Sequence, residues 1–361
     1  MSSRVDKSRL GAARPVVAVT GAADGIGAAV AARLAAKAEV RRTIGLAQRR
    51  VDLPGVIYRP ADVRDPRLAE RLAGIDVVVH TDTDTSLSTD PLKRSAWNVR
   101  GAQTVLTAAA AAGVNRVVLC TSAAVYGAYR DNPVPLPEDA PLRAVPDGSL
   151  IGDFLEIEDL AERAPKSHPG LSVTVLRPAA LVGPGVDNVL TRHFEAPRLL
   201  VVKDTEPSWQ FCHVDDLADA YADAALSEID GAATVASDGW LSQEEIEELS
   251  GIRRMELPEP LAFGAAERLH RAHQSPAPAT DLQYVMHPWA VSTVRIKESG
   301  WRPAHSNVEA FRALLSEIAG NPLTRRLSKK DAASLGAAGA TVALVGTAAL
   351  VHHARKKHRT A

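Results

Sequence analysis

The stretch TGAADGIG, residues 20–27, lies between a β-branched run and an alanine-rich run, and it decides the fold. In this context Gly21 allows a tight turn, Gly25 lets the backbone approach a pyrophosphate, and Gly27 permits close packing of helix on strand. The helix expected from Ile26 onward then directs its first amide groups at the phosphates. The stretch therefore predicts a dinucleotide-binding loop at the first strand-to-helix junction of an α/β domain.

Outward from this loop, strand-like runs rich in β-branched residues alternate with alanine-rich runs. This alternation is typical of a parallel sheet covered by helices on both faces. The runs that predict strands are 15–20, 41–47, 55–60, 75–80, 115–121 and 171–178. The runs that predict helices are 26–38, 66–73, 91–112, 150–164 and 214–227. Five prolines within 131–147 predict a loop over the carboxyl edge of the sheet, where ligands bind in open α/β folds.

The whole pattern predicts a Rossmann-type doubly wound parallel sheet with a small C-terminal substrate lobe and a C-terminal hydrophobic helix. The sheet domain is expected over 15–182 and 211–237, because the helical run after HVDD returns to it. The small lobe is expected over 183–210 and 238–324, where Pro and Gly make the pattern irregular. Residues 1–14 lack the apolar run of a secretory signal and predict a disordered leader.

Composition and charge narrow the class of protein. The chain is 46% apolar and 24% charged, which is ordinary for a globular protein. Cys120 and Cys212 stand in strand-like apolar contexts, which predicts buried free thiols and a reducing cytosolic compartment. Residues 325–361 carry eight Lys/Arg and one acid, Asp331, whereas residues 1–324 have a net charge of −8. The acidic body argues against nucleic acid as the main ligand, and no metal site is predicted.

A separate feature stands at the C-terminal end. Residues 332–351 carry no charge and lie between a basic linker, 325–331, and a basic tail, 352–361. Twenty residues just span a bilayer as a helix, but only six of these are Leu or Val. A single transmembrane helix that holds the protein at the cytoplasmic face of the cell membrane is the first expectation. A soluble cytoplasmic protein, whose alanine-rich helix does not insert, is the second.

Several motifs follow the glycine loop in the order of one known family. They are PADVRD with Asp62, NVRGAQTVL with Asn98, TSAAVYG with Ser122, LRPAALVGPG (176–185), FCHVDDLADA (211–220) and GWRP (300–303). With them the chain resembles the extended short-chain dehydrogenases/reductases, the NAD-dependent nucleotide-sugar epimerases and dehydratases, over about residues 15–320. The resemblance implies a Rossmann domain with a small lobe, an NAD or NADP cofactor, a nucleotide-sugar-like substrate and a homodimer.

The resemblance also assigns residues to the cofactor. They are Gly21, Asp24, Gly25, Ile26, Gly27, Arg49, Arg50, Asp62, Val63, His80 and Asn98. The choice between NAD and NADP stays open, because no acid follows the second strand and Arg49 or Arg50 could meet a 2′-phosphate. Two solvated arginines are the alternative, and the charge of Asp24 argues against an extra phosphate.

The catalytic positions depart from the family, which uses a serine together with YxxxK. Ser122 matches the serine, but none of the five tyrosines has a lysine four residues on. Aligning the family's glutamate with Glu158 puts Leu150 at the tyrosine position and Phe154 at the lysine position. Neither side chain moves a proton. A shift of the alignment by one or two residues restores neither tyrosine nor lysine.

Other residues must therefore be considered for proton transfer and substrate binding. Glu156 and His213 are candidate proton carriers, although a solvated helix face and a structural histidine are the alternatives. The candidates for binding a substrate are Arg192, His193, Arg198, Trp209 and Gln210. Arg192 and Arg198 could hold a diphosphate, and two plain surface arginines are the alternative. Two functions stay open. The leading one is an NAD(P)-binding, membrane-associated sensor or scaffold, and the other is an active NAD(P)-dependent epimerase or oxidoreductase with a substitute proton carrier.

Overall fold

The computed structural model describes residues 14–272 and 278–320. Its strands are β1 (Val16–Thr20), β2 (Arg42–Ala47), β3 (Val56–Pro60), β4 (Val77–His80), β5 (Arg116–Cys120), β6 (Ser172–Pro178), β7 (Ala180–Val182), β8 (Leu199–Val202), β9 (Phe211–His213), β10 (Gly231–Val235) and β11 (Arg254–Leu257). Its α-helices are α1 (Gly25–Ala36), α2 (Leu68–Arg71), α3 (Pro91–Ala112), α4 (Leu150–Ser167), α5 (Val189–Glu195), α6 (Val214–Leu226), α7 (Gln243–Ser250), α8 (Glu259–Arg271), α9 (Val294–Glu298) and α10 (Asn307–Gly320). Short 3₁₀ helices occupy Ala123–Tyr126 and Ala279–Val285.

The main sheet has seven parallel strands in the order β10-β6-β5-β4-β1-β2-β3. The first strand, β1, lies between β2 and β4. Strands β2 and β3 extend the sheet on one side of β1, and the later strands extend it on the other side. The carboxyl ends of all seven strands share one edge, and the change of direction beside β1 opens a crevice there. The predicted doubly wound α/β fold is confirmed.

Side chains of β1 point alternately into two helical layers. Val16 and Ala18 belong to the apolar cluster formed with α3 and α4, whereas Val17 and Val19 belong to the cluster formed with α1 and α6. All five residues of the strand are buried. Because both faces of the sheet are covered, the central strands are continuously apolar rather than alternating, which is why they could be read from the sequence.

The helix predicted after HVDD, α6, returns to the sheet domain and packs beside α1. Arg33 of α1 bridges Asp215 and Asp219 of α6, at 2.8 and 2.6 Å. These pairs are partly exposed, so each contributes less than about 1 kcal/mol. The apolar contacts of Leu217 and Tyr221, both buried, carry most of the packing energy.

A second core lies around the later segments. Strand β7 pairs with β9 and β8 pairs with β11, in two small sheets outside the main one. Aromatic rings fill the space between them and α10, with Phe311 centred 4.9 Å from Phe194 and 5.3 Å from Phe211. This cluster gives the irregular part of the sequence its own apolar core. The domain boundaries predicted at 183–210 and 238–324 stay a prediction.

The six predicted strands and five predicted helices are present, with ends that differ by at most three residues. Strand β10 was missed because Gly231, Ala232 and Ala233 are not strand-like residues. The cysteines are free, Cys212 fully buried and Cys120 half-buried. The described helices include none that is long and apolar enough to cross a bilayer. The predicted leader (apart from residue 14), basic linker, helix 332–351 and basic tail lie outside the described residues.

Candidate functional site

The loop between β1 and α1 forms a backbone cradle. Gly21 and Gly25 have φ angles of +65° and +52°, which favour glycine over residues with a Cβ. A Cβ added to Gly27 would lie 2.3 Å from the Gly21 carbonyl oxygen and 2.6 Å from Thr81 Oγ1, so no larger residue fits. Gly25 and Ile26, which open α1, line a cleft at the sheet edge. These features fit a pyrophosphate held at the helix N-terminus.

An ion pair stands at the rim of this cradle. Arg49 donates a hydrogen bond to the carboxylate of Asp24, and their side chains are 72% and 70% exposed. Arg50 is exposed beside them. Such a pair stabilises the fold little, but it gives Arg49 a partner that competes with any 2′-phosphate. The two residues that bear on the choice between NAD and NADP are therefore coupled to each other.

The acid predicted near the adenine, Asp62, contacts its neighbour Arg64. The Arg64 side chain and backbone amide donate to Asp62 at 3.0 and 2.9 Å, and the side-chain hydrogen bond is the main cause that lowers the pKa of Asp62. The guanidinium carbon of Arg64 lies 4.0 Å above the Trp97 ring centre. Val63, at 2% exposure, is a core residue. Asp62 remains the member of this pair that offers oxygen acceptors to a ligand.

His80 and Asn98 support the crevice from beneath. His80 Nδ1 lies 2.8 Å from Thr20 Oγ1, and burial lowers the pKa of His80 to about 4, so its ring is neutral. The Asn98 amide exchanges hydrogen bonds with the backbone of Asp84 at 2.8 and 2.9 Å. Both residues thereby fix the segment 81–85, whose threonines line the cleft. Their contacts are with protein groups rather than with the cleft itself.

One cleft of about 1090 Å³ runs along the carboxyl edge from the glycine loop to the small lobe. Ser122 lines its middle, just after β5. Its Oγ accepts a hydrogen bond from the Ala124 amide at 3.1 Å, and no described group accepts its hydroxyl proton. Ser122 can therefore donate to an oxygen in the cleft.

Leu150 and Phe154 line the same cleft at the start of α4. Leu150 is the first residue of the helix and is half-buried, whereas Phe154 is 6% exposed and belongs to the core cluster of α3 and α4. The structure thus brings Ser122, Leu150 and Phe154 together at one place. Under the alignment that was predicted from Glu158, these apolar side chains take the positions of the family's proton carrier and cation.

The acidic residues of α4 do not replace that pair. Glu156 is exposed and lies outside the cleft lining. Glu158 is 7% exposed and accepts two hydrogen bonds from Arg177, at 2.8 and 2.7 Å, and one from Thr121 at 2.5 Å. Burial alone would lower the pKa of Arg177, but the bond to Glu158 raises it. Asp153 accepts a hydrogen bond from Arg94 at 2.8 Å.

His213, the other candidate proton carrier, caps α6 instead of lining the cleft. Its Nδ1 accepts from the Asp215 amide at 3.3 Å, and its ring stacks on His305 with centres 4.0 Å apart. Burial is the main cause that lowers the pKa of His213. The structure therefore does not bring Glu156 or His213 to Ser122.

The candidates for binding a substrate are not brought together in the cleft either. Arg192 pairs with Asp187 through two bonds of 2.8 and 2.9 Å. His193 stacks on Trp209, and burial lowers its pKa to about 4. Arg198 is exposed, and Gln210 exchanges hydrogen bonds with the backbone of residue 291 at 3.1 and 2.8 Å. Within the described residues, none of these side chains lines the cleft, although Asp187, which pairs with Arg192, does.

Several polar residues of the cleft were not predicted, among them Arg94, Asp281 and Tyr284. Arg94 precedes Asn98 by four residues and so shares its helix face, a relation that the sequence does contain. Asp281 and Tyr284 belong to a 3₁₀ helix far along the chain and carry no motif. Among the described residues no group of His, Cys, Asp or Glu is arranged to hold a metal ion.

Comparison with known proteins agrees with this geometry. The model of the NAD dependent epimerase/dehydratase family matches residues 17–234. An uncharacterized protein of Mycobacterium tuberculosis is 30% identical over 315 residues, which cover 82% of this chain and 82% of that protein. An uncharacterized protein of Sinorhizobium fredii is 30% identical over 172 residues, or 46% of this chain and 41% of that protein.

Solved structures share the fold at lower identity. The UDP-glucose 4-epimerase of Thermotoga maritima with UDP-glucose superposes with a TM-score of 0.61 at 18% identity, covering 84% of this chain and 98% of that one. The Thermus thermophilus UDP-glucose 4-epimerase with NAD has a TM-score of 0.61 at 20% identity, covering 84% of this chain and 99% of that one. The dTDP-glucose 4,6-dehydratase of Streptomyces venezuelae with NAD has a TM-score of 0.61 at 20% identity, covering 85% of this chain and 97% of that one. These likenesses establish the fold.

Proposed function

Because the chain belongs to the NAD-dependent epimerase/dehydratase family, we propose that it is an NAD(P)-dependent epimerase or oxidoreductase. Its cofactor is NAD or NADP, held by the glycine loop. Its substrate is a nucleotide-sugar-like molecule, and its proton carrier replaces the missing tyrosine and lysine. This is the second of the two functions that the sequence left open, and the cleft favours it.

The observation that carries this proposal is the continuity of the cleft. A single volume joins the cradle at Gly25 to Ser122 and then to Asn188 of the small lobe. A cofactor laid along the cradle therefore shares one space with a second molecule, with the Ser122 hydroxyl beside their meeting point. The bound nicotinamide would supply a hydride acceptor and donor there. A volume of about 1090 Å³ exceeds the usual range for one drug-sized ligand, as two ligands require.

The test measures binding and turnover on the full-length chain. Calorimetric titration with NAD⁺, NADH, NADP⁺ and NADPH is expected to give micromolar or tighter binding of at least one. Epimerisation or oxidation of UDP-glucose, UDP-galactose and dTDP-glucose is then followed by NMR with that cofactor present. Ser122→Ala is expected to lower kcat without changing cofactor affinity, because its hydroxyl lies in the cleft rather than in the cradle. Folded protein that binds none of the four cofactors would refute the proposal.

A cofactor-binding sensor or scaffold without catalysis is the second candidate. The apolar residues Leu150 and Phe154 at the expected catalytic positions favour it. It predicts that Ser122→Ala leaves a cellular phenotype intact while Gly25→Trp, which fills the cradle, abolishes it. Equal loss from both variants, in protein shown to be folded, would exclude a purely binding role.

Membrane attachment through residues 332–351 and assembly into a homodimer are separate proposals. The uncharged run between two basic segments supports the first, and the family resemblance implies the second. Leu92, on α3, is exposed and serves as the site of a test variant. Fractionation of the full-length chain against a version ending at Lys330 tests the anchor, and full-length protein that stays soluble would end it. Sedimentation of wild-type protein and Leu92→Glu tests the dimer.

A further inference from the structure

Asp281 lines the cleft near the start of α4. It belongs to the 3₁₀ helix Ala279–Val285, in which residues three apart project from the same side. Asp281 and Tyr284 have this spacing, and both line the cleft. The Tyr284 hydroxyl donates to the Ala124 carbonyl at 2.7 Å. Because the Ala124 amide donates to Ser122 Oγ, this helix is fastened to the turn that holds the serine.

The other end of the 3₁₀ helix is fastened to the start of α4. Thr280 Oγ1 donates to Asp147 Oδ2 at 2.7 Å, and the Ser149 amide donates to Asp147 Oδ1 at 3.1 Å. Ser149 is the cap residue of α4, and Leu150 follows it in the cleft. Asp281 is therefore held between the Ser122 turn and Leu150, the position that a catalytic tyrosine occupies in the family.

The charges around Asp281 come from three elements. Asp147 faces it from the loop before α4, Arg94 faces it from α3, and Tyr284 lies on its own helix. Burial, and secondarily the charge of Asp147, raises the pKa of Asp281 to about 7, while Arg94 opposes this. No described group donates a hydrogen bond to its carboxyl. A carboxyl that changes protonation near neutral pH suits general acid–base work.

We propose that Asp281 is the proton carrier of this site, in place of the family's tyrosine. The inference rests on the proposed function. During oxidation of a sugar carbinol, one Asp281 carboxylate oxygen takes the hydroxyl proton while the C–H electron pair leaves as hydride to the nicotinamide oxidant, so that a C=O bond replaces the C–O single bond. Reduction returns the proton by the reverse path. Ser122 donates a hydrogen bond to the same substrate oxygen.

Arg94 acts as a positioning residue. It is 7% exposed and donates to Asp153 at 2.8 Å and to the Gly148 carbonyl at 2.8 Å, so its guanidinium is fixed at the cleft wall. There it supplies the positive charge that Phe154 cannot. Through that charge it favours the carboxylate form of Asp281 and opposes the rise in its pKa.

The other titratable groups of the cleft fit the role less well. Burial raises the pKa of the Cys120 thiol to about 12. Burial also raises the pKa of Tyr284, and its hydroxyl already donates a hydrogen bond to the Ala124 carbonyl. Asp187 is paired with Arg192, and Asp215 is paired with Arg33. His270 also lines the cleft, from the end of α8, and is therefore included in the test.

The first test reads the carboxyl directly and needs no turnover. The ¹³Cγ signals of aspartate-labelled full-length protein are titrated by NMR, and Asp281→Asn identifies the signal of Asp281. We expect a midpoint near pH 7, a lower midpoint in Asp147→Asn, and a change in the signal when UDP-glucose, UDP-galactose or dTDP-glucose binds. A midpoint near that of an ordinary aspartate, about 3.9, would overturn the inference. So would binding of a nucleotide sugar that leaves the signal unchanged.

The second test uses kinetics with NAD⁺ and the best of these three nucleotide sugars. Asp281→Asn is expected to lower kcat by about 10²–10⁴-fold with little change in KM, because it removes only proton transfer. Asp281→Glu should recover part of the rate, and His270→Gln should lower kcat far less than Asp281→Asn does. Asp147→Asn should move the acid limb of the pH profile to lower pH. Wild-type kcat in Asp281→Asn would refute the inference alone. A wild-type protein that neither binds nor converts any nucleotide sugar would refute the proposed function.

Discussion

The two ends of the cleft treat the family pattern differently. At the phosphate end, Gly21, Gly25 and Gly27 keep the backbone geometry that a dinucleotide needs. At the other end, beside Ser122, the apolar residues Leu150 and Phe154 line the cleft, and the sequence alignment predicts that they replace the family's proton carrier and cation. Cofactor binding here depends on backbone shape, which few residues satisfy. Proton transfer requires only a suitable group within reach, and a different element of the fold can provide it.

The largest expected effect concerns the buried acid of α4, and it separates structural from catalytic carboxylates. Arg177→Met leaves Glu158 buried without its cationic partner and should lower the free energy of unfolding by about 3–5 kcal/mol. Urea denaturation measures this. Lys166→Met, which removes the exposed pair with Glu162 on the same helix, should cost less than about 0.5 kcal/mol. Equal losses would mean that Glu158 is not committed to the fold and is available for chemistry.

The second prediction asks whether the missing pair can be restored. Phe154→Lys puts an ammonium group among the core residues of α3 and α4 and should destabilise the protein by about 2–4 kcal/mol. Leu150→Tyr, at the half-buried first turn, should be tolerated within about 1 kcal/mol. Thermal unfolding compares the two. A stable Phe154→Lys would show that this end of the cleft still accepts the family's cation.

The third prediction tests the phosphate end. In Gly25→Trp the side chain enters the cradle, and the affinity for NADH should fall more than 100-fold, about 2.7 kcal/mol. Gly74→Trp is the matched control, since its φ is also positive, +73°, and no atom lies within 4 Å of an added Cβ. The control should pay the same backbone strain and bind NADH normally. Normal binding by Gly25→Trp would place the cofactor elsewhere.

The fourth prediction concerns cofactor choice at the rim. Asp24→Asn releases Arg49 and should raise the affinity for NADPH about tenfold, or 1.4 kcal/mol, while changing that for NADH less than twofold. The double variant Asp24→Asn with Arg49→Ala should lose this gain. Calorimetry with both reduced cofactors measures it. Equal changes in the affinities for NADH and NADPH would show that Asp24 and Arg49 do not contact the 2′-phosphate.

The smallest expected effect is the pH dependence of stability. Because the pKa of Asp281 is raised to about 7 in the folded protein, the folded state holds a proton that the unfolded chain releases near pH 3.8. Stability from this group is therefore present at low pH and is lost as pH rises through 7. The Tm of Asp281→Asn minus that of wild type should grow by a few degrees from pH 5 to pH 8. Asp139→Asn, at an exposed position, is measured alongside as the control.

Local sequence patterns predict the glycine loop of the site, whereas the residues at the other end of the cleft are brought together by tertiary packing. The glycine spacing and the apolar strands act within a few residues, so TGAADGIG and the first six strands are legible in the sequence. The absence of YxxxK is equally legible. Asp281 and Asp147 meet only because α4 and a distant 3₁₀ helix pack together. No periodicity or motif reports such a contact.

Residues with similar chemistry also took different roles for the same reason. Glu156 and Glu158 are two positions apart on α4, yet one is exposed and the other is bound by Arg177 of β6. The sequence supplies both carboxylates but not which face of the helix meets the sheet. Arg192 was a fair candidate for a phosphate, and its bond to Asp187 became visible only in three dimensions.

The order of strands in the sheet has a consequence for how the chain acquires its shape. Strands β1, β2 and β3 are consecutive neighbours, but β10 pairs with β6 only after the segments of the small lobe have been passed. Closing that long loop carries an entropic cost that local pairs avoid. We expect the nucleotide cradle to form early during folding and the 3₁₀ helix of Asp281 to dock late. A chain still being synthesised on the ribosome would then form its cofactor-binding loop before Asp281 reaches the cleft.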